Sequence, residues 1–518
     1  MVHNNMDVRI KRMIQEEVNR AIKQKNKNLL NEIVETVSDV LLEFEGGTDE
    51  QIVLDYVRSA IEGTRYQNRV FLAGGAVRDE VMGRLPKDLD FVVNYEDINA
   101  GIDFANWLAH KLGVYKEDSN PVVFERFGTA KLSLNGNNKG LPNIELEFVA
   151  PRSESYTEGS RKPEVSASDL KGDVMRRDLT INSLLKDISS GEILDLTGHG
   201  LEDIKDGVVR TPLDPDVIFK DDPLRMLRAI RFTSKYGFEM TDDVLNGIKR
   251  NAHLIDNISS ERISDELNKI LVSDRPSEGI ELMKDTGLLK YVIPELQDAV
   301  GMGQNKYHNK DVFGHTMDVL RNTPNDLNTR LMALFHDIGK TLTRTVDDNG
   351  NVHFYGHEQA GVDVVKSIMS RLKYPNNIIN AVASGVLNHM RLKNGGDDAT
   401  GISDKALRKF KDKVGDNLVQ ILDLIHADNI SHADASSMPN QIRIVRDRLD
   451  KLNDQIDSNK VNKLPINGRD IIERFNITPS PIIGQILSSV KEEWYGNPNM
   501  SKEEALDIAN EIINNKKQ

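Results

Sequence analysis

The chain has 518 residues, a formal net charge of -14 and no cysteine. Its length exceeds what one hydrophobic core supports, so three or more domains are expected. The lack of thiols excludes disulfides, thiolate catalysis and cysteine-ligated zinc or iron–sulfur sites. The acidic balance argues against a uniformly basic nucleic-acid binder but leaves local basic patches open. No apolar stretch is long enough to span a membrane and the N-terminus lacks a secretory segment, so we expect a soluble, cytoplasmic protein.

A long charged segment precedes the first motif. Residues 1–45 read as a helix that is basic first and acidic later, with an apolar stripe from Ile33 to Leu42 at helical spacing. Such a helix either contacts RNA phosphates or a partner, or packs on the body as a solvated helix, and the second interpretation is favoured. A further helix is predicted over residues 51–65.

The segment from Phe71 to Val93 combines a glycine pair with an aspartate pair between apolar runs. Gly74 and Gly75 allow close backbone approach and offer N–H groups to an anion such as a triphosphate. Asp88 and Asp90 open the second apolar run, where strand alternation puts both on one face. Without a cation their repulsion would raise one pKa, whereas Mg²⁺ commonly binds one or two carboxylates plus substrate phosphates. Together the pairs predict metal-assisted phosphoryl or nucleotidyl transfer, although either pair alone would be a turn or a solvated loop.

The sequence after this motif predicts one helix, two strands and a polar loop, over residues 102–113, 124–134, 144–149 and 153–172. Glu145 and Glu147 share one face of the second strand. Either carboxylate can complete a metal site with the aspartate pair. Exposure on an edge strand is an equally good interpretation of both.

The segment from Met175 to Leu185 places two arginines and an aspartate at a predicted helix start. Arg177 can pair with phosphate or ribose oxygens, and Asp178 can accept a hydrogen bond from a ribose hydroxyl. Asp178 or Thr180 can also cap the helix. The alternative interpretation is therefore a capped helix with a surface ion pair.

The segment from Phe219 to Phe232 carries a base-reading pattern. Its proline opens a helix that puts Asp222, Arg225 and Arg228 near one face. Cytosine and adenine both present an amino donor beside a ring-nitrogen acceptor, whereas guanine and uracil present the opposite polarity. A fixed aspartate and a fixed arginine can therefore select C and A without a template. Taken alone, the pattern would be an ion pair between successive helical turns.

In order, these motifs resemble those of the DNA polymerase beta superfamily of nucleotidyltransferases, in the branch of bacterial-type (class II) CCA tRNA nucleotidyltransferases and poly(A) polymerases. The resemblance covers roughly residues 66–495. Two positions depart from the family pattern, since Leu179 replaces an aromatic residue and Asp221 replaces a glutamate. The family spacing before Arg152 favours Glu147 as the third acid.

The resemblance implies roles for the matched residues. Asp88, Asp90 and Glu147 would be catalytic, with two Mg²⁺ on the aspartates, one activating the tRNA 3′-hydroxyl and the other neutralising the pyrophosphate leaving group. The implied nucleotide-binding residues are Gly74, Gly75, Arg78 and Asn182 for the triphosphate, Arg177 and Asp178 for the ribose, Asp222 and Arg225 for the base, and Arg228 on the same helix face. CTP and ATP would then extend the tRNA 3′ end. Poly(A) polymerases and enzymes that add only CC or only A share these motifs and stay open as alternatives.

Beyond residue 296 the chemistry changes, and most of the twelve histidines of the chain lie there. A histidine, an adjacent His-Asp pair and a distal aspartate form the metal-ligand order of the HD-domain phosphohydrolases, which this region resembles. The matching residues are His315, His336, Asp337 and Asp428, with Asp423 and Asp434 as nearby alternatives for the distal aspartate. His357 and His389 can serve a second metal or bind phosphate. Imidazole with carboxylate suits transition metals such as Mn, Ni, Co or Fe, which can activate water for phosphoester hydrolysis.

The expected fold is α+β and multidomain, with a small mixed α/β nucleotidyltransferase head followed by a mainly helical neck, body and HD domain. The predicted boundaries are 1–65 for an N-terminal helical extension, 66–185 for the head, 186–296 for the neck and body with base selection and RNA binding, 297–460 for the HD domain and 461–518 for a C-terminal helical segment. A rival interpretation is an HD metal-dependent phosphohydrolase with an inactive head, which predicts loss of Asp88 or Asp90. A non-catalytic RNA-binding protein is disfavoured because both clusters are complete.

Overall fold

A computed structural model of the protein describes residues 48–86, 88–116, 120–134, 142–155, 164–304, 310–454 and 464–515. The chain divides into two compact units, Met1–Asn257 and Ile258–Gln518. The helix predicted over residues 1–45 lies outside the described residues. Within the described ranges, no helix has the length and apolar character that a membrane crossing requires.

The first unit is built around a mixed sheet. Its strands are β1 Val70–Ala73, β2 Leu89–Val93, β3 Val122–Phe124, β4 Thr129–Leu134, β5 Ile144–Val149, β6 Arg152–Ser155, β7 Glu164–Ala167, β8 Leu185–Asp187 and β9 Ile193–Leu194. Seven of them form one sheet in the order β3–β4–β5–β2–β1–β8–β9, while β6 and β7 pair separately. Strands β2 and β5 run parallel, and the other neighbours in this sheet are antiparallel.

Helices cover the sheet and continue beyond it. They are α1 Asp49–Ile61, α2 Gly75–Val81, α3 Ala100–Leu112, α4 Leu170–Met175, α5 Gly200–Asp206, α6 Pro215–Asp221, α7 Leu224–Tyr236 and α8 Asp242–Asn251, with the short parallel strands β10 Val208–Val209 and β11 Glu239–Met240. The centre of the core is aromatic: Phe91 stacks on Phe148 with ring centroids 5.0 Å apart, and Phe104 of α3 meets Phe148 edge-on at 5.2 Å. Burying each ring contributes on the order of 2 kcal/mol. This core holds β2 and β5 side by side, and these two strands carry Asp90 and Glu147.

The second unit is almost entirely helical in its described part. Its helices are α9 Ser260–Leu271, α10 Pro276–Asp285, α11 Leu289–Val292, α12 Pro294–Gln297, α13 Val312–Asn322, α14 Leu327–Phe335, α15 Lys340–Thr343, α16 His357–Arg371, α17 Asn376–Asn388, α18 Asp404–Val414, α19 Leu418–Ile430, α20 Gln441–Asp454, α21 Gly468–Phe475, α22 Pro481–Trp494 and α23 Lys502–Asn515, with the hairpin β12 Thr345–Val346 and β13 Val352–His353. Helix α14 packs against α13, α17 and α19, and every residue from Leu331 to Phe335 is buried. A helix that is apolar on all sides belongs in a core. The His-Asp pair that follows it is therefore carried into the interior.

The predicted fold class, a small mixed α/β head with a mainly helical remainder, is confirmed. Three local predictions are wrong. The strand predicted over 124–134 begins only at Thr129, because Glu125–Phe127 form a 3-10 turn that separates β4 from its antiparallel neighbour β3. The segment after Met175 does not begin a helix, because the side chains of Asp178 and Ser183 bind nearby backbone groups and β8 then pairs with β1, leaving only a short 3-10 turn at Thr180–Asn182. The loop predicted over 153–172 contains the paired strands β6 and β7 in its described part.

Candidate active site and metal centre

The acidic candidates of the head lie on two neighbouring parallel strands. Asp90 is the one exposed residue of β2 and stands opposite Glu147 of β5, while Asp88 lies exposed just before β2. Lys131 of β4 also stands opposite Glu147, but its Nζ lies closer to Glu145 Oε1, at 2.9 Å, than to Glu147 Oε2, at 3.6 Å. Glu145 is thus engaged by a lysine, and the register brings Glu147 to Asp90.

The surroundings of Asp90 raise the pKa of its carboxyl group. Loss of water around its carboxylate, and then repulsion from Glu147 and Asp88, raises the pKa of Asp90 to about 6. A bound divalent cation would offset both effects by stabilising the charged carboxylates, and an all-oxygen donor set suits a hard cation. Among the described residues, two groups of three potential ligands have their ligand atoms within 4.8 Å of one another, and both groups lie in the second unit. The carboxylates of the head are not gathered as closely. The head residues fit a cation that takes further ligands from a substrate.

Two guanidinium groups lie against the glycine pair. Gly74 has a φ of 66°, and a Cβ there would stand 3.0 Å from Arg177 Nη1. A Cβ on Gly75 would stand 3.6 Å from Arg78 Nη2. Only glycine combines the left-handed backbone of Gly74 with this close approach. The turn therefore brings two cations beside the N–H groups that begin α2.

Asn182 connects the two arginines and Asp178. Its side-chain carbonyl accepts a hydrogen bond from Arg78 Nη1, and its backbone carbonyl accepts one from Arg177 Nη1 at 3.2 Å. Its Nδ2 donates to Asp178 Oδ1 at 3.1 Å. Residues that are up to 104 positions apart in sequence thus form one polar network.

Asp178 is buried and paired with Arg228 of α7 at 2.6 Å. Burial alone would raise the pKa of this carboxyl, but the charge of Arg228 and the hydrogen bond from Asn182 lower it to about 2. Asp178 is thus an anion throughout the physiological pH range. Helix α7 is tied to the network through this pair.

The predicted base-reading residues flank the start of α7. Asp222 lies between α6 and α7, and its Oδ1 accepts a hydrogen bond from the Leu224 N–H at 3.1 Å. Arg225 Nη1 lies 2.9 Å from Asp221 Oδ2 and donates to the Ile218 carbonyl at 3.3 Å. Asp221, the position that departs from the family pattern, therefore orients Arg225.

The six histidine and aspartate candidates of the second unit are buried and form two triads. The triads are His315, His336 and Asp428, and Asp337, His357 and His389; within each, the ligand atoms lie within 4.8 Å of one another. His315 Nε2 is 3.1 Å from Asp428 Oδ1. Asp337 also reaches into the first triad, since its Oδ2 is 3.2 Å from His336 Nε2. The predicted four-residue set is thus split, and the two extra histidines complete the second triad.

Backbone carbonyls orient three of the imidazoles. The Nδ1 atoms of His336, His357 and His389 lie 2.8, 2.9 and 2.7 Å from carbonyl oxygens three residues earlier. A carbonyl only accepts, so Nδ1 carries the proton, and in the neutral imidazole the lone pair of Nε2 is then the one that can bind a metal. His336 Nε2 is buried and makes no hydrogen bond, although it lies near Asp337. This arrangement fits a metal ligand better than a satisfied core histidine.

Two lysines, which the sequence reasoning did not single out, complete the cluster. Lys340 Nζ is 2.6 Å from Asp337 Oδ2, and Lys393 Nζ is 2.8 Å from Asp428 Oδ2 and 2.9 Å from His432 Nε2. Lys340 could have been found, because it follows Asp337 by one helical turn. Lys393 is distant in sequence and carried no signal. Both lysines line a cavity of about 780 Å³ that reaches Asp337 and Asp428.

The fold and these two sites define a class of protein in which a nucleotidyltransferase head precedes an HD-type metal domain. The family of the Poly A polymerase head domain matches residues 70–210, the family described as Probable RNA and SrmB- binding site of polymerase A matches 237–300, and the HD domain family matches 308–428. The head and HD families imply divalent metal ions. The domain limits expected from the sequence stay predictions.

Curated relatives narrow the class. The Multifunctional CCA protein of Nitrosococcus oceani is 32% identical over 317 residues, which cover 59% of this chain and 70% of that protein. The mitochondrial CCA tRNA nucleotidyltransferase of Saccharomyces cerevisiae is 35% identical over 276 residues, covering 51% of this chain and 48% of that protein, so the chain aligns with about half the length of such relatives. Other relatives are named CC-adding and A-adding tRNA nucleotidyltransferases. The chain belongs to the CCA tRNA nucleotidyltransferase and poly(A) polymerase family.

Solved structures agree on the fold. The CCA-adding enzyme of Bacillus stearothermophilus, crystallised in complex with CTP, superposes with a TM-score of 0.61 over 91% of this chain and 99% of that chain. The sequence identity is 19%, so this likeness concerns the fold alone.

Proposed function

We propose that the chain adds CCA to the 3′ end of tRNA without a template, using CTP and ATP and releasing pyrophosphate. The observation that carries this proposal is that Asp90 lies beside Glu147 on adjacent strands, while β1, the next strand of the sheet, leads directly into a glycine turn flanked by Arg78 and Arg177. Acidic oxygens for cations and fixed cations for phosphates are the two requirements of nucleotidyl transfer. Family membership supports tRNA as the substrate.

Each group has a proposed task. Asp88 and Asp90, with Glu147 as third acid, would hold Mg²⁺, which supplies activation of the 3′-hydroxyl and neutralisation of the leaving group. Gly74 and Gly75 let the triphosphate approach the backbone. The remaining nucleotide contacts are proposed for Arg78 and Asn182 at the phosphates, Arg177 and Asp178 at the ribose, Asp222 and Arg225 at the base, and Arg228 through its pair with Asp178.

Base choice follows from donor and acceptor polarity. Asp222 would accept from the amino group that cytosine and adenine share, and Arg225 would donate to the neighbouring ring nitrogen. Arg225 is held by Asp221 and by a backbone carbonyl, so its direction is fixed before a nucleotide arrives. A pre-oriented pair rejects guanine and uracil because their donors would meet donors.

The test is extension of a tRNA transcript that lacks its 3′ CCA, with Mg²⁺ and each nucleotide alone or CTP with ATP. We expect three added nucleotides that require both CTP and ATP, and no addition by the double variant Asp88→Ala/Asp90→Ala. Glu96→Ala, on an exposed residue shortly after β2, serves as the matched control. A long ladder with ATP alone would indicate a poly(A) polymerase, and arrest after two cytidines or addition of a single adenosine would indicate a partial enzyme.

A second activity is favoured by the two buried triads and the lysine-lined cavity beside them. We propose that the HD domain binds a transition metal such as Mn, Ni, Co or Fe and hydrolyses phosphoesters. Metal-bound water would be the nucleophile, and Lys340 and Lys393 would hold the phosphate. Hydrolysis of bis-p-nitrophenyl phosphate and of a 2′,3′-cyclic nucleotide should depend on added metal and vanish in Asp337→Ala. It should persist in Asp90→Ala, which separates this activity from that of the head.

The cytoplasmic location expected from the sequence stays a prediction. The supporting observation is the composition without cysteine. Two relatives carry the word mitochondrial in their names, so fractionation of the source cells is the measurement that decides the compartment.

A further inference from the structure

One face of α7 runs past every part of the proposed nucleotide site. Arg225, Arg228, Phe232 and Tyr236 follow one another at spacings of three, four and four residues, so at about 100° per residue they share one side of the helix. The first is the proposed base reader, and the second binds Asp178. They span about 16 Å along the helix axis, a length that an extended nucleoside triphosphate can match.

The last two of these residues, Phe232 and Tyr236, contact the guanidinium of Arg78. Its guanidinium carbon lies 5.0 Å from the ring centroid of Phe232 and 5.3 Å from that of Tyr236. The two rings stack on each other with centroids 5.8 Å apart and planes 23° apart. Arg78 is buried, and cation–π contacts are strongest where the cation has lost its water.

The carboxylate of Asp79 also binds Arg78. Asp79 Oδ1 accepts hydrogen bonds from Arg78 Nε and Nη2 at 2.9 and 2.7 Å and from the Tyr236 hydroxyl at 3.3 Å. The remaining Arg78 nitrogen, Nη1, points to Asn182 in the polar network beside the glycine turn. The guanidinium is thus held beside the two stacked rings and along one edge by Asp79, and these contacts together restrict its orientation.

We propose that Phe232 and Tyr236 are positioning residues that hold Arg78 toward the triphosphate, so that α7 links base reading at one end to phosphate binding at the other. This inference rests on the proposed function, because it assigns Arg78 to the triphosphate. The rings of Phe232 and Tyr236 touch Arg78 and lie seven and eleven residues from Arg225, respectively. Their loss should weaken binding of CTP and ATP equally and should leave the choice of base unchanged.

The test is calorimetric binding of CTP, ATP and CMP to the full chain, with Mg²⁺, for Phe232→Leu and Tyr236→Leu. Each ring removal should weaken CTP and ATP binding about 5- to 30-fold, the range expected for a desolvated cation–π contact. CMP, which lacks the distal phosphates, should bind as it does to wild type within about twofold, since Arg78 is not its partner. Tyr236→Phe keeps the ring and should retain most of the affinity. Tyr291→Leu removes a ring near Lys290 in the other unit and is the control.

Repeating the ring removals in an Arg78→Ala background separates positioning from packing. If the rings act through Arg78, they should have almost no further effect on CTP binding there. An equal loss in both backgrounds, or an equal loss for CMP and CTP, would overturn the inference. Absence of CTP binding to wild type would overturn both this inference and the proposed function. Normal CTP binding without tRNA extension by wild type would overturn the proposed function alone, and the cycle would still decide the role of the rings.

Discussion

Asp337 is the carboxylate that reaches both triads of the HD domain, so its replacement by asparagine is the sharpest test of the metal centre. Its Oδ2 lies 3.2 Å from His336 Nε2 and its Oδ1 lies 3.3 and 3.7 Å from the Nε2 atoms of His357 and His389. Asparagine keeps the size and one acceptor oxygen but loses the charge. We expect the HD domain of wild type to bind two divalent ions, one at each triad, and that of Asp337→Asn to bind at most one.

The magnitude follows from what surrounds the carboxylate. In the metal-free protein Asp337 neutralises Lys340 at 2.6 Å, and both side chains are buried. Removing one partner of a buried pair costs about 3–5 kcal/mol, reduced here because Lys340 also donates to Gln304 at 2.7 Å. Metal at 100 times its Kd stabilises wild type by about 2.7 kcal/mol per site, and the variant loses this term for one site. The gap in unfolding free energy should therefore be about 3 kcal/mol in chelator and about 6 kcal/mol with metal.

Metal content by mass spectrometry and thermal unfolding with Mn²⁺ or with chelator measure the two effects separately. A gap of 3 kcal/mol corresponds to a Tm change of roughly 6–12 °C for a unit of this size. Asp416→Asn, on an exposed residue of the same unit, should change neither quantity. Two ions bound to Asp337→Asn, or a Tm gap that does not widen when Mn²⁺ replaces chelator, would refute the assignment of Asp337 as a ligand.

Three further predictions concern pH and the glycine turn. Asp90 has a pKa raised to about 6, so protons should compete with Mg²⁺ and initial rates of nucleotide addition should fall as the pH drops below about 6; a flat profile from pH 5 to 8 would contradict this. The pKa of His336 is raised, despite burial, by Asp337 and its other neighbours, so metal binding to the HD domain should release protons and should tighten as the pH rises above the ordinary titration range of histidine, as calorimetry in buffers of different ionisation enthalpy would show. Gly74→Ala should reduce kcat/KM for CTP at least tenfold, because residue 74 has a left-handed φ and a Cβ there would crowd Arg177. Gly75→Ala should reduce it a few-fold at most, because residue 75 has no left-handed φ and its Cβ would stand at an ordinary contact distance. Equal losses in the two variants would argue against a crowded turn at Gly74.

The sequence was informative where chemistry repeats a local pattern. Asp90 on a strand face and the His336-Asp337 pair after an apolar helix could be placed because periodicity of two or of 3.6 residues fixes the side of an element. The preference for Glu147 came from family spacing, and the parallel register of β2 and β5 is consistent with it. The helix predicted after Met175 failed because side-chain hydrogen bonds and pairing of β8 outweighed local propensity there.

Long-range partners were out of reach of sequence patterns. Arg228 was placed on the right face of α7, but that it binds Asp178, fifty residues earlier, follows only from packing. The contact of Lys393 could not be predicted from the sequence either. Its Nζ lies 2.8 Å from Asp428 Oδ2 only because of how α17 and α19 pack. The rings of Phe232 and Tyr236 look like ordinary core residues in the sequence. Their contact with Arg78 exists because the head and α7 pack together.

The two candidate sites differ in how complete they are before any metal arrives, and this difference fits their chemistry. The HD triads are buried and include imidazoles whose Nδ1 atoms are fixed by backbone carbonyls, so the protein supplies most ligands itself. In the head, the side chains of Asp88 and Asp90 reach solvent, but the surrounding protein removes part of the water around the Asp90 carboxylate. This loss of water, and then repulsion from Glu147 and Asp88, raises the pKa of Asp90. A solvent-accessible pair of aspartates gives a cation few ligands, and Mg²⁺ prefers to complete its shell with water and substrate phosphates. The head is therefore suited to an ion that arrives with the nucleotide, and the HD domain to one that stays.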